Sequence, residues 1–173
     1  MKNMKYVILS ALLLFVLVPH SSQAYLTSGQ EVIRLNESNV LYLIHFDFGS
    51  KKYDMRLPIA AYRKETPENS KALEYKIEDN RSESMYSKGT AAGIVLSKAL
   101  IVDGHYFIPK GEGKRFTLAV ILNVPDVATD EKLDLSLQVT KLPFTLKAEN
   151  IEIGARLNDP ELQYYVTPEA KFR

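Results

Sequence analysis

Between Val40 and Phe48 every even position, Val40, Tyr42, Ile44, Phe46 and Phe48, carries a large apolar side chain. A repeat of two is the period of a β-strand with one face on a core. The odd positions set its depth: Leu41 and Leu43 are apolar while His45 and Asp47 are polar, which predicts a strand covered on both faces at its start and wet at its end. Gly49-Ser50-Lys51-Lys52 reads as a turn, after which Tyr53, Met55 and Leu57 alternate with Asp54 and Arg56 on a returning strand that Pro58 ends or edges. Glu65 to Ser70 and Asp79 to Lys88 have loop composition, and between them Leu73, Tyr75 and Ile77 alternate with Glu74, Lys76 and Glu78, a strand with one buried face. The clearest hairpin signal runs from Tyr106 to Val124, where two apolar runs flank Pro109-Lys110-Gly111-Glu112-Gly113-Lys114. Its second run puts Phe116, Leu118, Val120, Leu122 and Val124 on one face; Thr117, Ala119, Ile121 and Asn123 are on the other, which could lie beneath loops or a neighbouring strand. Leu133, Leu135, Leu137 and Val139 mark another strand, and Phe144, Leu146, Ile151 and Ile153 suggest closing strands, the first entered through Pro143. Ser97 to Val102 fits a helical turn or short strands equally well.

About eight to ten short strands, with turn signals between them and no strand-helix alternation, predict an all-β fold, an antiparallel β-sandwich in one domain. A closed barrel is the competing arrangement. The segment Tyr106-Phe107-Ile108-Pro109-Lys110-Gly111 followed by Phe116-Thr117-Leu118 resembles the strand, proline-glycine turn and strand of immunoglobulin-like domains in bacterial exported proteins. That resemblance covers about a third of the chain and implies an immunoglobulin-like fold without an activity, since adhesins, pilus parts and carbohydrate modules share it. A core Trp and paired Cys, hallmarks of immunoglobulin domains, are both missing.

The first residues have a different pattern. Lys2 and Lys5 precede an apolar run from Tyr6 to Val18, then Pro19, then the small residues Ser22 and Ala24. This is the order of an export signal, with cleavage expected after Ala24, so that residues 1–24 are a signal peptide and 25–173 the mature domain. As a helix the run rises about 20 Å, short of the roughly 30 Å hydrocarbon core of a bilayer, so no membrane span is expected once the signal is removed. The whole chain holds 22 Lys and Arg against 21 Asp and Glu; without Lys2 and Lys5 the balance is 20 to 21. A net charge so close to zero gives no global attraction for nucleic acid. The absence of cysteine removes a disulfide framework, thiolate catalysis and lipid attachment through a cysteine.

Candidate chemistry is sparse. His45 and Asp47 fall on one side of a strand and offer two ligands, too few for a metal site, and spacing does not bring His105 to them. Ser97 and Lys98 are adjacent and so point apart on a strand, and no G-x-S-x-G, H-E-x-x-H or Walker pattern occurs. Pairing Glu37 with Asp47 for glycoside cleavage has no support from spacing. Asp126, Asp130, Glu131 and Asp134 form an acidic stretch that a calcium ion would suit, although a solvated turn with Asp134 on a strand explains it better. Asn36-Glu37-Ser38 and Asn80-Arg81-Ser82 match the N-glycosylation pattern, short enough to arise by chance. Tyr164 and Tyr165 face opposite ways on a strand, so one is expected in solvent, and Lys51-Lys52 and Arg63-Lys64 read as solvated turn charges. No catalytic, cofactor-binding or metal residue is assigned. The expectation is a secreted or envelope-associated, non-enzymatic interaction or structural protein with a protein or cell-envelope partner; the alternative is an extracellular carbohydrate-binding module or a hydrolase of surface polymer.

Overall fold

Thirteen strands and one helical turn make up the computed structural model, which describes residues 29–64, 71–125, 132–149 and 151–173. The strands are β1 (Gly29–Arg34), β2 (Asn39–Gly49), β3 (Asp54–Pro58), β4 (Ala60–Arg63), β5 (Leu73–Asp79), β6 (Ser84–Met85) and β7 (Thr90–Ser97). They continue with β8 (Leu100–Val102), β9 (His105–Ile108), β10 (Gly113–Asn123), β11 (Leu133–Ala148), β12 (Ile151–Asn158) and β13 (Ala170–Phe172). The one-turn helix α1 (Asp159–Leu162) carries Pro160 in its first turn, where a missing N–H costs nothing. The expected signal segment, the loop 65–70 and Asp126, Asp130 and Glu131 of the acidic stretch lie outside the described residues.

The chain is all-β and folds as a two-layered, mostly antiparallel sandwich. One layer has the order β1-β2-β10-β7; the other is built on β11. Tyr42 Oη on β2 donates to the Leu135 carbonyl of β11 at 3.0 Å, and Tyr106 Oη on β9 donates to the Val95 carbonyl of β7 at 2.9 Å, so each layer is tied to the other inside the core. Phe46 and Phe116 stack at 5.6 Å, and Phe48 meets Phe144, as Tyr106 meets Phe116, edge to face. The even positions of β2 and β10 fill this core, as their alternation predicts. Gly93 on β7 is what lets the Tyr75 ring in: a Cβ there would lie 2.7 Å from Tyr75 Cε1.

The layers are one continuous sheet because β4 bridges them, pairing antiparallel with β7 and parallel with β5, the one parallel pair among the described strands. β11 then changes partners along one flank, β5 up to Lys141 and β3 from Thr145 to Lys147, while β13 and β12 line its other flank. Pro143 sits at the changeover, where the flank between β5 and β3 asks for no ladder hydrogen bond. The expected separate closing strands are therefore one 16-residue strand with a β-bulge at Thr140. The bulge moves the buried phase from Leu133, Leu135, Leu137 and Val139 to Leu142, Phe144 and Leu146. It also puts Lys141 on the face of Glu74, opposite that of Tyr75, where its Nζ meets Glu74 Oε1 at 2.6 Å, both side chains about 95% buried. Glu74 was expected on the wet side of its strand; it is buried with a charged partner instead.

The expected hairpin over Tyr106–Val124 does not form. β9 pairs with β3 and β8, whereas β10 pairs with β2 and β7, so the Pro109–Glu112 turn is an arch from one layer to the other. Alternation and turn residues are the same in a hairpin and an arch; only the pairing partners differ. Gly111, at φ 83°, supplies the left-handed residue this turn needs. Gly49 admits the far side of the turn, since a Cβ there would meet the Glu112 carbonyl oxygen at 2.2 Å.

A candidate interaction surface

The outer face of the β1-β2-β10-β7 layer carries contiguous apolar surface. Ladder register sets its side chains in rows across the strands: Ile33, Leu41, Ile121 and Ala92; then Glu31, Leu43, Ala119 and Ile94; then Gly29, His45, Thr117 and Leu96. Ile33, Ile94, Leu96 and Ile121 are 41 to 49% exposed, and Leu41 and Leu43 are half-buried. The start of β2 was expected to be covered on both faces, and the back of β10 could have lain beneath loops or another strand. Among the described residues both are partly or fully exposed, which is why apolar residues at odd positions of β2 and β10 form a surface rather than a second core. Scattered exposed leucines need no explanation, but adjacent rows of them mark contact surfaces.

Polar pairs close this face at both ends. Arg115 Nε and Nη2 donate to the two carboxylate oxygens of Asp47 at 3.0 and 3.1 Å, a forked pair at the end beyond His45. At the opposite end Asn123 Nδ2 donates to Asn39 Oδ1 at 2.9 Å. His45 Nδ1 shares a hydrogen bond with Thr117 Oγ1 at 2.8 Å, and its Nε2 is 3.7 Å from the Glu31 carboxylate.

A second feature is the seam where β1 and the C-terminal strand β13 come together without pairing. Arg34 Nη1 donates to the Lys171 carbonyl at 2.7 Å and its guanidinium lies 5.1 Å over the Phe172 ring, while Gln30 Nε2 donates to the Tyr164 carbonyl at 3.0 Å. The cavity along this seam, about 340 Å³, is lined by Val32, Arg34 and residues 168–172. Two side chains hold shut an edge that a backbone ladder does not.

The residues that sequence reasoning singled out are dispersed. His45 and Asp47 share a face as expected, but Asp47 is engaged by Arg115. His105 lies in the other layer, its Nδ1 3.0 Å from the Asp103 carbonyl oxygen. Glu37 lies in the turn before β2 and Asp47 near its far end, with the stretch from Asn39 to Asp47, about 26 Å at 3.3 Å per residue, between them. Ser97 Oγ donates to the Arg115 carbonyl and accepts from the Ala99 N–H, so it holds the turn after β7. No group of three or more His, Cys, Asp or Glu is arranged to hold a metal among the described residues. Asp134 is on β11, as expected.

Asn36 Oδ1 accepts from the N–H groups of Ser38 and Asn39 and shapes the β1–β2 turn; Asn80 bridges Ser136 Oγ and Glu169 Oε1. Tyr164 is 74% exposed and Tyr165 buried, as expected, although the pair follows α1 with Tyr164 in a turn and does not lie on a strand. Arg63 departs from its expected role as a solvated charge: its guanidinium donates to the carbonyls of Tyr86 and Gly89, clamping the turn before β7.

No protein-family model matches this chain, and no curated protein matches its sequence. Among solved structures it is similar to the collagen binding subdomain of the Enterococcus faecalis surface protein ACE, at 8% identity and a TM-score of 0.24, over 75% of this chain and 92% of that one. A likeness at that level carries no argument about ligand or mechanism, which have to rest on the surfaces described above. No helix among the described residues is long and apolar enough to cross a membrane.

Proposed function

We propose that this protein acts by binding rather than by catalysis, outside the cytoplasm, and that the outer face of the β1-β2-β10-β7 layer is its contact surface. The observation that carries the proposal is the set of adjacent apolar rows, Ile33 to Ala92 and Leu43 to Ile94, bounded by the Asp47–Arg115 and Asn39–Asn123 pairs. An apolar centre inside a polar rim is the anatomy of a protein–protein interface. The export half of the proposal rests on the Lys2-to-Ala24 pattern, and places the mature N-terminus at Tyr25.

The experiment compares the mature protein with Leu96→Lys/Ile121→Lys as bait in extracts of its own cell envelope. Both substitutions sit on the solvent side of strands whose core sides are unchanged, so thermal melting stays near that of the parent. The double variant loses the captured partner, whereas Arg34→Ala at the seam retains it. Equal capture by the double variant and the parent refutes this face as the contact surface. Intact mass of the exported form checks the N-terminus: a chain that retains residues 1–24 refutes the export reading.

A further inference from the structure

Resting on that reading of the face, we infer that its partner is a second copy of this chain, packed face to face about a two-fold axis that runs along the strands between β2 and β10. The geometry that points there is the self-complementarity of the rows. A two-fold placed along the strands lays β2 of one copy over β10 of the other without shifting any row. Leu41 then opposes Ile121, Leu43 opposes Ala119, and His45 opposes Thr117. In the end row Asp47 opposes Arg115 of the other copy and Arg115 opposes its Asp47, so two forked ion pairs become a ring of four alternating charges. Asn39 likewise meets Asn123 at the other end. The same rotation lays β1 over β7, so that Ile33 opposes Ala92 and Gly29 opposes Leu96, while Glu31 stands in the row of Ile94 with its carboxylate 3.7 Å from His45 Nε2. An isologous interface demands that each row match itself after the rotation, and along the two central strands charge meets opposite charge, polar meets polar and apolar meets apolar.

The size is sufficient. The four strands hold 36 residues, alternate ones facing outward; at about 3.4 Å by 4.8 Å of sheet per residue, the flat area is roughly 590 Å² per copy. Two copies bury about 1,200 Å², the lower bound for a specific interface. Face-to-face packing of two twisted sheets is also how the sandwich itself is built.

Sedimentation velocity over a concentration series tests this, with the charge ring as the specific probe. The parent is expected to reach a dimer. Asp47→Arg and Arg115→Asp each set like charges against one another in the row and raise the dimer dissociation constant by about tenfold or more. Mixing the two variants restores association, because every Arg at positions 47 and 115 of one copy then faces an Asp of the other. Ile121→Lys abolishes the dimer with melting preserved. A parent that stays monomeric at the highest concentration overturns the inference, as does a dimer indifferent to Ile121→Lys or a mixture no tighter than its components. A monomeric parent whose envelope partner is still lost in Leu96→Lys/Ile121→Lys leaves the contact surface standing and removes only the second copy; unchanged capture by that variant removes the surface itself.

Discussion

Replacing Lys141 by methionine removes the ammonium that lies 2.6 Å from Glu74 Oε1, in a site where the two side chains are 4% and 5% exposed. The methionine fills nearly the same volume, so the loss is electrostatic: a carboxylate stays buried without its partner. Breaking one half of a buried pair costs about 3–5 kcal/mol, against a total stability of about 5–15 kcal/mol for a domain. With a urea m-value of about 2 kcal/mol/M, the unfolding midpoint of Lys141→Met falls by roughly 2 M. Removing both charges, as Glu74→Leu/Lys141→Met, takes away the desolvation cost together with the attraction, and the double variant is expected to be more stable than either single one. Equilibrium urea unfolding of the parent, both single variants and the double variant closes the cycle. A double variant as unstable as the sum of the singles, or a Lys141→Met loss below about 1 kcal/mol, refutes the buried pair and with it the bulge at Thr140 that brings Lys141 to the face of Glu74.

Four further outcomes follow from the packing. Gly93→Ala forces a Cβ to 2.7 Å from Tyr75 Cε1 and 3.2 Å from Val120 Cγ2, and should cost about 1–3 kcal/mol in thermal or urea unfolding. Phe116→Asp puts an unpaired carboxylate into the fully buried site between Phe46 and Tyr106 and prevents folding, whereas Arg115→Ala, at the solvated rim, leaves far-UV circular dichroism and melting nearly unchanged. Tyr42→Phe loses the bond to the Leu135 carbonyl and about 1 kcal/mol, while Tyr165→Phe, which removes a buried hydroxyl without a hydrogen bond, is neutral or stabilising in the same unfolding assay. Burial opposes the charge on Asp79, but the Ser82 hydroxyl, the Asp134 and Arg81 N–H groups and the Arg81 charge outweigh it and hold its pKa below the ordinary 3.8. A depressed folded-state pKa contributes stability above 3.8 that is lost as pH falls through the lower folded value, so Asp79→Asn should flatten the acid limb of a stability-pH curve.

Period-two alternation carried most of the fold. It identified the core faces of β2, β3, β5 and β10 because burial of one face imposes it directly on the residues. Pairing was not legible in the same way: Pro109-Lys110-Gly111 turns the chain whether the next strand returns beside the last or crosses to the other layer. The shift from odd to even apolar positions between Val139 and Leu142 was a visible signal for the bulge, and hence for Lys141 joining the face of Glu74, but a strand break explains that shift equally well. The outer face was legible as residues and not as a surface. Leu41, Leu43, Ala119, Ile121, Ile94 and Leu96 are apolar in the sequence, and only the register of β1, β2, β10 and β7 shows that they lie side by side with nothing described above them. The rim is similar, since Asp47 and Arg115 are 68 residues apart and become partners through one ladder.

The absence of cysteine from the whole chain makes the contact surface directly measurable, because a single introduced thiol is the only one present. Ile94→Cys lies within the outer face and Leu100→Cys on β8 lies away from it, both on exposed side chains. Maleimide labelling rates of the two variants are compared for dilute purified protein and for the protein in its native envelope extract. The account predicts that the thiol at position 94 reacts freely in the first and is protected in the second, with position 100 equally reactive in both. A thiol at position 94 that stays as reactive in the extract as in dilute solution, while position 100 becomes protected, contradicts the face as the surface through which this protein binds.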